Sequence, residues 1–488
     1  MNATMSGTRL FALALSVALI SPVTAEPIVQ AKPASAVTVD IPYQAFTLPN
    51  GLRVLVHTDR KAPIVAVNLW YHVGSKDEPV GRTGFAHLFE HLMFNGSENA
   101  PGEYFTPFES VGATDMNGTT NSDRTNYFEN VPTTALDMAL WMESDRMGHL
   151  LGAIDQKTLD EQRGVVQNEK RQMENQPYGQ LNEVVARTMF PVGHPYHHFA
   201  IGSMNDLNAA SLDDVRTWFR TWYGPNNTVL VLAGDIDLAT AREKATRYFG
   251  HIPATPTMTQ PKVDLAVPSR NGRTEIEDKV SQVLLQRNWN VPQSGERDAD
   301  LLDLTAYILA GSASSRLAER LVHQDQLADS VNATNYGSQL AGSFFIRAMV
   351  RPGVDPARVE VIIEEELKRL LMDGPGADEL ARAKTSYRAS FVRGIERIGG
   401  FGGKADVLAS CATFAGDPAC FRKSLDTIAN ATAAEVHAVS AKWLGNPSHT
   451  FLIKPGDRKP LDEEAPAVPA LLRLPAVDAR YSTSTSDV

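Results

Sequence analysis

The sequence predicts a protein of mixed α and β structure built from two similar halves. Three observations carry this. Asn50-Gly51 stands between the apolar runs Ala45–Leu48 and Leu52–Val56, a strong hairpin signal, and Asn271-Gly272 opens a comparable stretch later. An apolar strand candidate, Ile64 to Tyr71, has a counterpart in Val280 to Trp289. Each half closes on a late apolar run before Gly-Asp: Thr228 to Leu232 ahead of Gly234-Asp235, and Thr450 to Ile453 ahead of Gly456-Asp457. A repeat spacing of about two hundred residues reads as a domain duplication, far longer than a solenoid period.

The elements follow in order. Residues 1–25 read as a signal peptide. Arg9 is the positive end, Leu10 to Ile20 is an apolar run too short to span a bilayer, and Val23-Thr24-Ala25 offers a cleavage site before Glu26. A periplasmic location and no membrane anchor are therefore expected. The first domain occupies 40–255. Residues 256–272 are a Pro-rich linker. A second, non-catalytic domain occupies 273–457, and the Pro/Ala- and then Ser/Thr-rich stretch 458–488 is expected to be disordered. The chain has 488 residues, 43% of them apolar and 21% charged, with a net charge of −11. That composition supports large cores and argues against nucleic acid as a partner.

The chemistry concentrates in His87-Leu88-Phe89-Glu90-His91. Histidines four apart share one face of a helix, and the carboxylate between them lies beside that face. This is H-x-x-E-H, a zinc-hydrolase pattern in inverted order. Phe85, Leu88, Phe89, Leu92 and Met93 make the helix strongly apolar, and Gly96 is a stop signal. Polar groups there need partners, and a metal ion supplies one. A catalytic zinc takes three protein ligands and keeps one position open. Glu169, in the charged stretch Glu161 to Arg171, is the best candidate for the third. That stretch reads as a helix with Val165, Val166 and Met173 on one side; the competing reading is an ordinary solvated helix face.

These segments resemble the pitrilysin/insulinase-type metallopeptidases, which include the mitochondrial processing peptidases. The likeness runs through Gly84 to Gly96, Asn117 to Thr120, Asp123 to Tyr127, Arg163 to Glu169, and Tyr223 to Asp235. It covers roughly Ala45 to Asp457. It implies an α+β fold, each half a mainly antiparallel sheet covered by helices, together making half of a clamshell. It implies one Zn²⁺ held by His87, His91 and Glu169, with Glu90 as the general base that takes a proton from the attacking water. Where many members carry a further glutamate behind the site this chain has Gln162, next to Glu161; either residue, with Tyr127, is expected to support the ligands. Asn117, Gly118, Thr119 and Thr120 are expected to bind the peptide main chain along an exposed strand edge, although Asn-Gly also suits a turn. Asp123 is a further candidate for organising the site.

Four expectations complete the reading. The helical pattern of the second half, Asp298 to Leu317, holds no histidine, so the site belongs to the first half alone. Val322 and Asp329 stand where large single-chain relatives place an Arg and a Tyr that polarise the scissile carbonyl. A second homologous subunit is therefore expected to supply them, in a heterodimer before a homodimer. His194, His197 and His198 form a second cluster, more in keeping with surface or cleft residues than with another metal. Cys411 and Cys420, flanking a Gly-Asp-Pro turn, suit a local disulfide in an oxidising compartment. The expected function is a zinc endopeptidase acting on peptides or unfolded segments. The rivals are a non-catalytic scaffold subunit of a processing-peptidase-like complex and a zinc hydrolase of another amide or ester.

Overall fold

The computed structural model describes residues 39–462. The signal peptide expected over 1–25 lies outside them, as does the tail beyond residue 462. The fold is α+β, with two helix-covered sheets. The first contains β1 (Gln44–Thr47), β2 (Arg53–Thr58), β3 (Ile64–Tyr71), β4 (Thr114–Thr120), β5 (Thr125–Pro132) and β6 (Thr228–Gly234), in the order β1-β2-β6-β3-β5-β4. The second contains β7 (Gly272–Asp278), β8 (Val283–Val291), β9 (Ala328–Gly337), β10 (Gly342–Val350) and β11 (His449–Pro455), in the order β7-β11-β8-β10-β9. Removing β1 leaves the same topology twice. In each sheet one pair is parallel, β2 with β6 and β7 with β11, and the other pairs are antiparallel.

Three local expectations need correction. Asn50-Gly51 does turn a hairpin, with Thr47 opposite Arg53 and Gly51 at φ 91°. Asn271-Gly272 looks alike in sequence but leads into β7, whose only partner among the described residues is the parallel strand β11. The second-half helix is Arg297–Ala310, ending before Gly311; it does not continue to Leu317. In the helix Gln156–Asn175, Val166 is buried but Val165 is exposed, because neighbours on a helix point about 100° apart.

β3 shows why both faces of the first sheet are dry. Val65, Val67, Leu69 and Tyr71 pack in one core with Phe85, Leu88, Phe89 and Leu92. Each such apolar side chain contributes about 1.5–3 kcal/mol on burial. Trp70, on the opposite face, meets Phe414 edge-on at 5.7 Å. Phe414 belongs to the helix Lys404–Phe414, which lies between β10 and β11 in sequence and so belongs to the second half. Arg53 Nη1 donates to the carbonyl of Ala412 on the same helix at 2.7 Å. The exchange is mutual: Leu181 and Met189, on the helix Leu181–Met189, pack with Leu284, Phe451 and Ile453 of the second sheet. Each half lends the other a helix. Cys411 and Cys420 are disulfide-bonded, with Cα atoms 5.3 Å apart, and tie the first of these helices to the helix Cys420–Asn430. Among the described residues no helix is long and apolar enough to cross a membrane.

Candidate metal centre

The motif helix is Phe85–Leu92. Gly84, at φ 87°, starts it and has no side chain to cap the free N–H groups. Glu78 does this from outside: it accepts from Gly84 N at 3.0 Å and from Ala86 N at 2.7 Å. A carboxylate is well placed at a helix N-terminus. Glu78 is itself fully buried and pairs with His198, whose Nε2 lies 2.8 Å away. Burial raises the Glu78 pKa. Burial alone would lower that of His198, but the hydrogen bond and charge of Glu78 raise it overall. Thus one histidine of the second cluster anchors the motif helix. His197 Nδ1 pairs with the Phe190 carbonyl and His194 Nδ1 accepts from Tyr196 N. Among the described residues these three form no metal-binding group.

The helix Gln156–Asn175 brings Glu169 to the motif. Asp155 caps its start by accepting from Thr158 N at 2.8 Å. Arg163 clamps it, donating to the carbonyls of Leu207 and Ala210 at 2.9 and 2.7 Å. Gln162 and Glu169, two turns apart, then share the face towards the motif helix. Gln162 Nε2 donates to Asn95 Oδ1 at 3.1 Å, and Asn95 Nδ2 donates to the carbonyl of His91 at 3.1 Å. Glu161 points elsewhere: it is exposed, 3.7 Å from Lys157. So only Gln162 of that pair reaches the site's surroundings.

The structure brings His87, His91 and Glu169 together. Glu169 Oε2 is 3.2 Å from His91 Nε2 and 3.8 Å from His87 Nε2, and one donor atom from each residue lies within 4.8 Å of the others. The imidazoles stand perpendicular. Ligands about 2.0–2.1 Å from a tetrahedral zinc stand about 3.3 Å from one another, so these donors fit that ion in type and spacing. Burial, then the neighbouring His91, lowers the His87 pKa to about 4, which keeps the ring neutral and able to ligate. A hydrogen bond from His91 lowers the pKa of Glu169. Glu90 is buried, and burial raises its pKa; Thr120, Arg124 and His91 act in the opposite direction.

Asn117, Gly118, Thr119 and Thr120 lie in β4, which among the described residues ends the first sheet and pairs only with β5. The turn reading of Asn-Gly is thus replaced by a strand. Gly118 is required there: a Cβ would stand 2.6 Å from Phe94 Cζ and 2.9 Å from the Tyr127 ring. Tyr127 is wholly buried, with Arg146 packed over its ring at 4.2 Å, so it supports β4 from behind. Asp123 joins the halves. It accepts from Tyr196 OH and from Gln339 N, while Leu340 N donates to the Tyr196 oxygen. Neither the Glu78–His198 anchor nor the Asp123 tie had a local sequence signal, since their partners lie far along the chain.

The chain belongs to the insulinase-type M16 peptidase family. Residues 53–195 match the family described as "Insulinase (Peptidase family M16)" and residues 209–387 match "Peptidase M16 inactive domain". The chain is 28% identical over 365 residues to the zinc protease PqqE of Helicobacter pylori, covering 72% of this chain and 80% of that one. A crystal structure of a protease from Helicobacter pylori aligns with a TM-score of 0.77 at 25% identity, covering 85% of this chain and 100% of that one. The periplasmic protease PqqL from Escherichia coli shares the fold, with a TM-score of 0.71 at 20% identity; 86% of this chain covers 48% of that one. The family and its named zinc proteases support a peptidase and a zinc requirement.

Proposed function

We propose that the chain is a zinc-dependent endopeptidase acting on peptides or unfolded segments, with one metal centre per chain. The observation that carries this is the convergence of His87, His91 and Glu169 beside the buried carboxylate of Glu90. His87 Nε2, His91 Nε2 and Glu169 Oε2 would hold the zinc. Bound there, zinc supplies Lewis-acid polarisation and activates water near neutral pH. Glu90 takes a proton from the attacking water and returns it to the leaving nitrogen. Its raised pKa suits that exchange. The unpaired edge of β4 aligns an extended peptide by main-chain hydrogen bonds. Tyr127 and Phe94 fix that edge through Gly118.

Val322 and Asp329 offer no Arg–Tyr pair for the scissile carbonyl. Asp329 accepts instead from Arg351 and Gln282. This chain also spans about half the length of PqqL. Both points support a second homologous subunit, a heterodimer before a homodimer. A periplasmic location is part of the same reading, supported by the PqqL relative.

Glu90→Gln is the decisive test. It should retain zinc while peptide cleavage falls by about 10²–10⁴, the usual worth of a general base. Undiminished cleavage by the purified variant would remove Glu90 from the mechanism. A wild-type chain that binds zinc but cuts no peptide, alone or with its co-purified partner, would favour the scaffold reading.

A further inference from the structure

A cavity of about 600 Å³ opens between the two halves, across the first sheet from Glu90. Trp70 comes from β3, Arg124 from the turn between β4 and β5, and Lys262 from the connecting segment. Tyr336 and Ser338 come from the end of β9 and the following turn, and Asp406 from the helix Lys404–Phe414. Its volume lies within the range of small-ligand pockets, about 300–1,000 Å³.

Arg124 is the unusual member. Its Nη1 donates to Thr119 O at 2.8 Å and to Thr119 Oγ1 at 2.5 Å, and its guanidinium packs on the Trp70 ring at 5.0 Å. Its Nε is buried with no hydrogen-bond partner among the described residues. Among the described residues it has no ion-pair partner within 4.0 Å. Asp123, its sequence neighbour, is engaged by Tyr196 and Gln339. Asp406 accepts from Gly402 N at 2.9 Å. A guanidinium largely withdrawn from water with no carboxylate in contact is costly and has donors to spare. Burial accordingly lowers the Arg124 pKa, against the pull of Asp406, Tyr336 and Glu90.

The position of Arg124 says what would approach it. Successive residues of a strand point to opposite faces. Thr120 neighbours Glu90 on one face, and Thr119 meets Arg124 on the other. A peptide extended along the edge of β4 alternates in the same way. One of its side chains, or its end, is then presented on the Arg124 side. Two acids, Asp123 and Asp406, also line the cavity. They disfavour a polyanion and leave room for a single negative charge.

We propose that Arg124 and this cavity form a subsite for one carboxylate of the peptide substrate, either an acidic side chain or the terminal carboxyl group. This rests on the peptidase reading for its substrate but on the cavity for its chemistry. The test uses zinc-loaded full-length Glu90→Gln protein and fluorescent peptides in matched pairs. One series replaces Glu by Gln at successive positions; the other exchanges a C-terminal acid for an amide. Anisotropy should show the acid-bearing member of one series binding about tenfold more tightly, the scale of a charge-assisted hydrogen bond. The series that shows it identifies the source of the carboxylate. Arg124→Gln should bring that ratio to about one, and Arg124→Lys should keep part of it. Ser338→Trp, which fills the cavity from the other half without touching β4, should also abolish it.

Equal binding of acid and neutral peptides in both series overturns the proposal, and so does a preference that survives Arg124→Gln. Failure of the peptidase reading looks different. Wild-type protein then cuts no peptide, while the binding ratio still decides the cavity.

Discussion

The two halves share one strand order and differ in what their first long helix carries. In the second half, Arg297–Ala310 buries Leu301, Leu302, Leu304, Ile308 and Leu309 together with Asp300 and Thr305, and it carries no histidine. In the first half, Phe85–Leu92 is shorter and also buries Glu90, with His87 and His91 beside it. His87 Nδ1 and Glu90 Oε2 are buried with no hydrogen-bond partner among the described residues. Such groups are rare and destabilising unless something else compensates. The comparison teaches that the fold needs an apolar helix here, and the metal site is an addition the first half must support. Glu78, His198, Gln162 and Asn95 are that support.

The sharpest way to break the contrast is to remove the ligand from outside the motif. Glu169→Ala should leave the first sheet folded and abolish stable zinc binding. Metal content after dialysis and peptide cleavage should fall together, by at least the 10–100-fold seen for lesser losses around metal ligands. If zinc stays bound with unchanged affinity, the donor set is wrong and the first half is closer to the second than proposed.

Next in size is the anchor of the motif helix. Glu78→Ala leaves His198 buried without its carboxylate and the Gly84 and Ala86 N–H groups without an acceptor. Breaking such a pair costs about 3–5 kcal/mol, read by thermal or denaturant unfolding. His198→Gln gives the pH signature. The folded-state pKa of His198 is raised above its ordinary 6.5, so its stabilising contribution is complete below that pH. It is lost as pH rises through the raised value, because the folded state then gives up its extra proton. Glu78, also raised, acts with the same sign from 4.5 upward. The stability gap between wild type and His198→Gln should therefore narrow with rising pH. A gap that widens would place the proton elsewhere.

What was legible follows from distance along the chain. H-x-x-E-H was readable because a helix brings residues four apart together. Glu169 was readable only as a charged position on a second helix, made specific by family resemblance. The Glu78–His198 pair spans one hundred and twenty residues and follows no local pattern. Asn50-Gly51 and Asn271-Gly272 carry the same turn chemistry, yet only the first has a strand before it to form a hairpin. The exchange of helices between halves was also hidden, since nothing in the sequence of Lys404–Phe414 or Leu181–Met189 marks the other half as its partner. The repeated strands and helices of the two halves were legible from local pattern, the sheet architecture of each half came with the family resemblance, and their interlocking was legible from neither.

The interlocking can be weighed by the disulfide. Replacing Cys411 and Cys420 by Ser frees the helix that the second half lends to the first sheet. Closing so short a loop stabilises by about 3 kcal/mol on the chain-entropy account. The double variant should melt at lower temperature and still bind zinc, because the bond lies on the far side of the sheet from His87. Loss of zinc affinity would show that the borrowed helix reaches the metal site.

The smallest effect tests the edge strands. β4 has Gly118 in its middle, pressed against Phe94 and Tyr127, whereas its counterpart β9 reads Ala-Asp-Ser-Val-Asn-Ala-Thr-Asn-Tyr-Gly with glycine only at its end. The rings of Phe94 and Tyr127 leave no room for a Cβ in β4, whereas β9 carries ordinary side chains along its length. Gly118→Ala forces the two rings or the strand to move, at about 1–3 kcal/mol. If β4 is the peptide edge, that movement should appear mainly as a higher KM, with zinc content unchanged and kcat less affected. A variant with unaltered KM and lowered melting temperature would make Gly118 a packing residue only. The outer edge of β4 would then be no more functional than that of β9, and the asymmetry of the halves would end at the motif helix and Glu169.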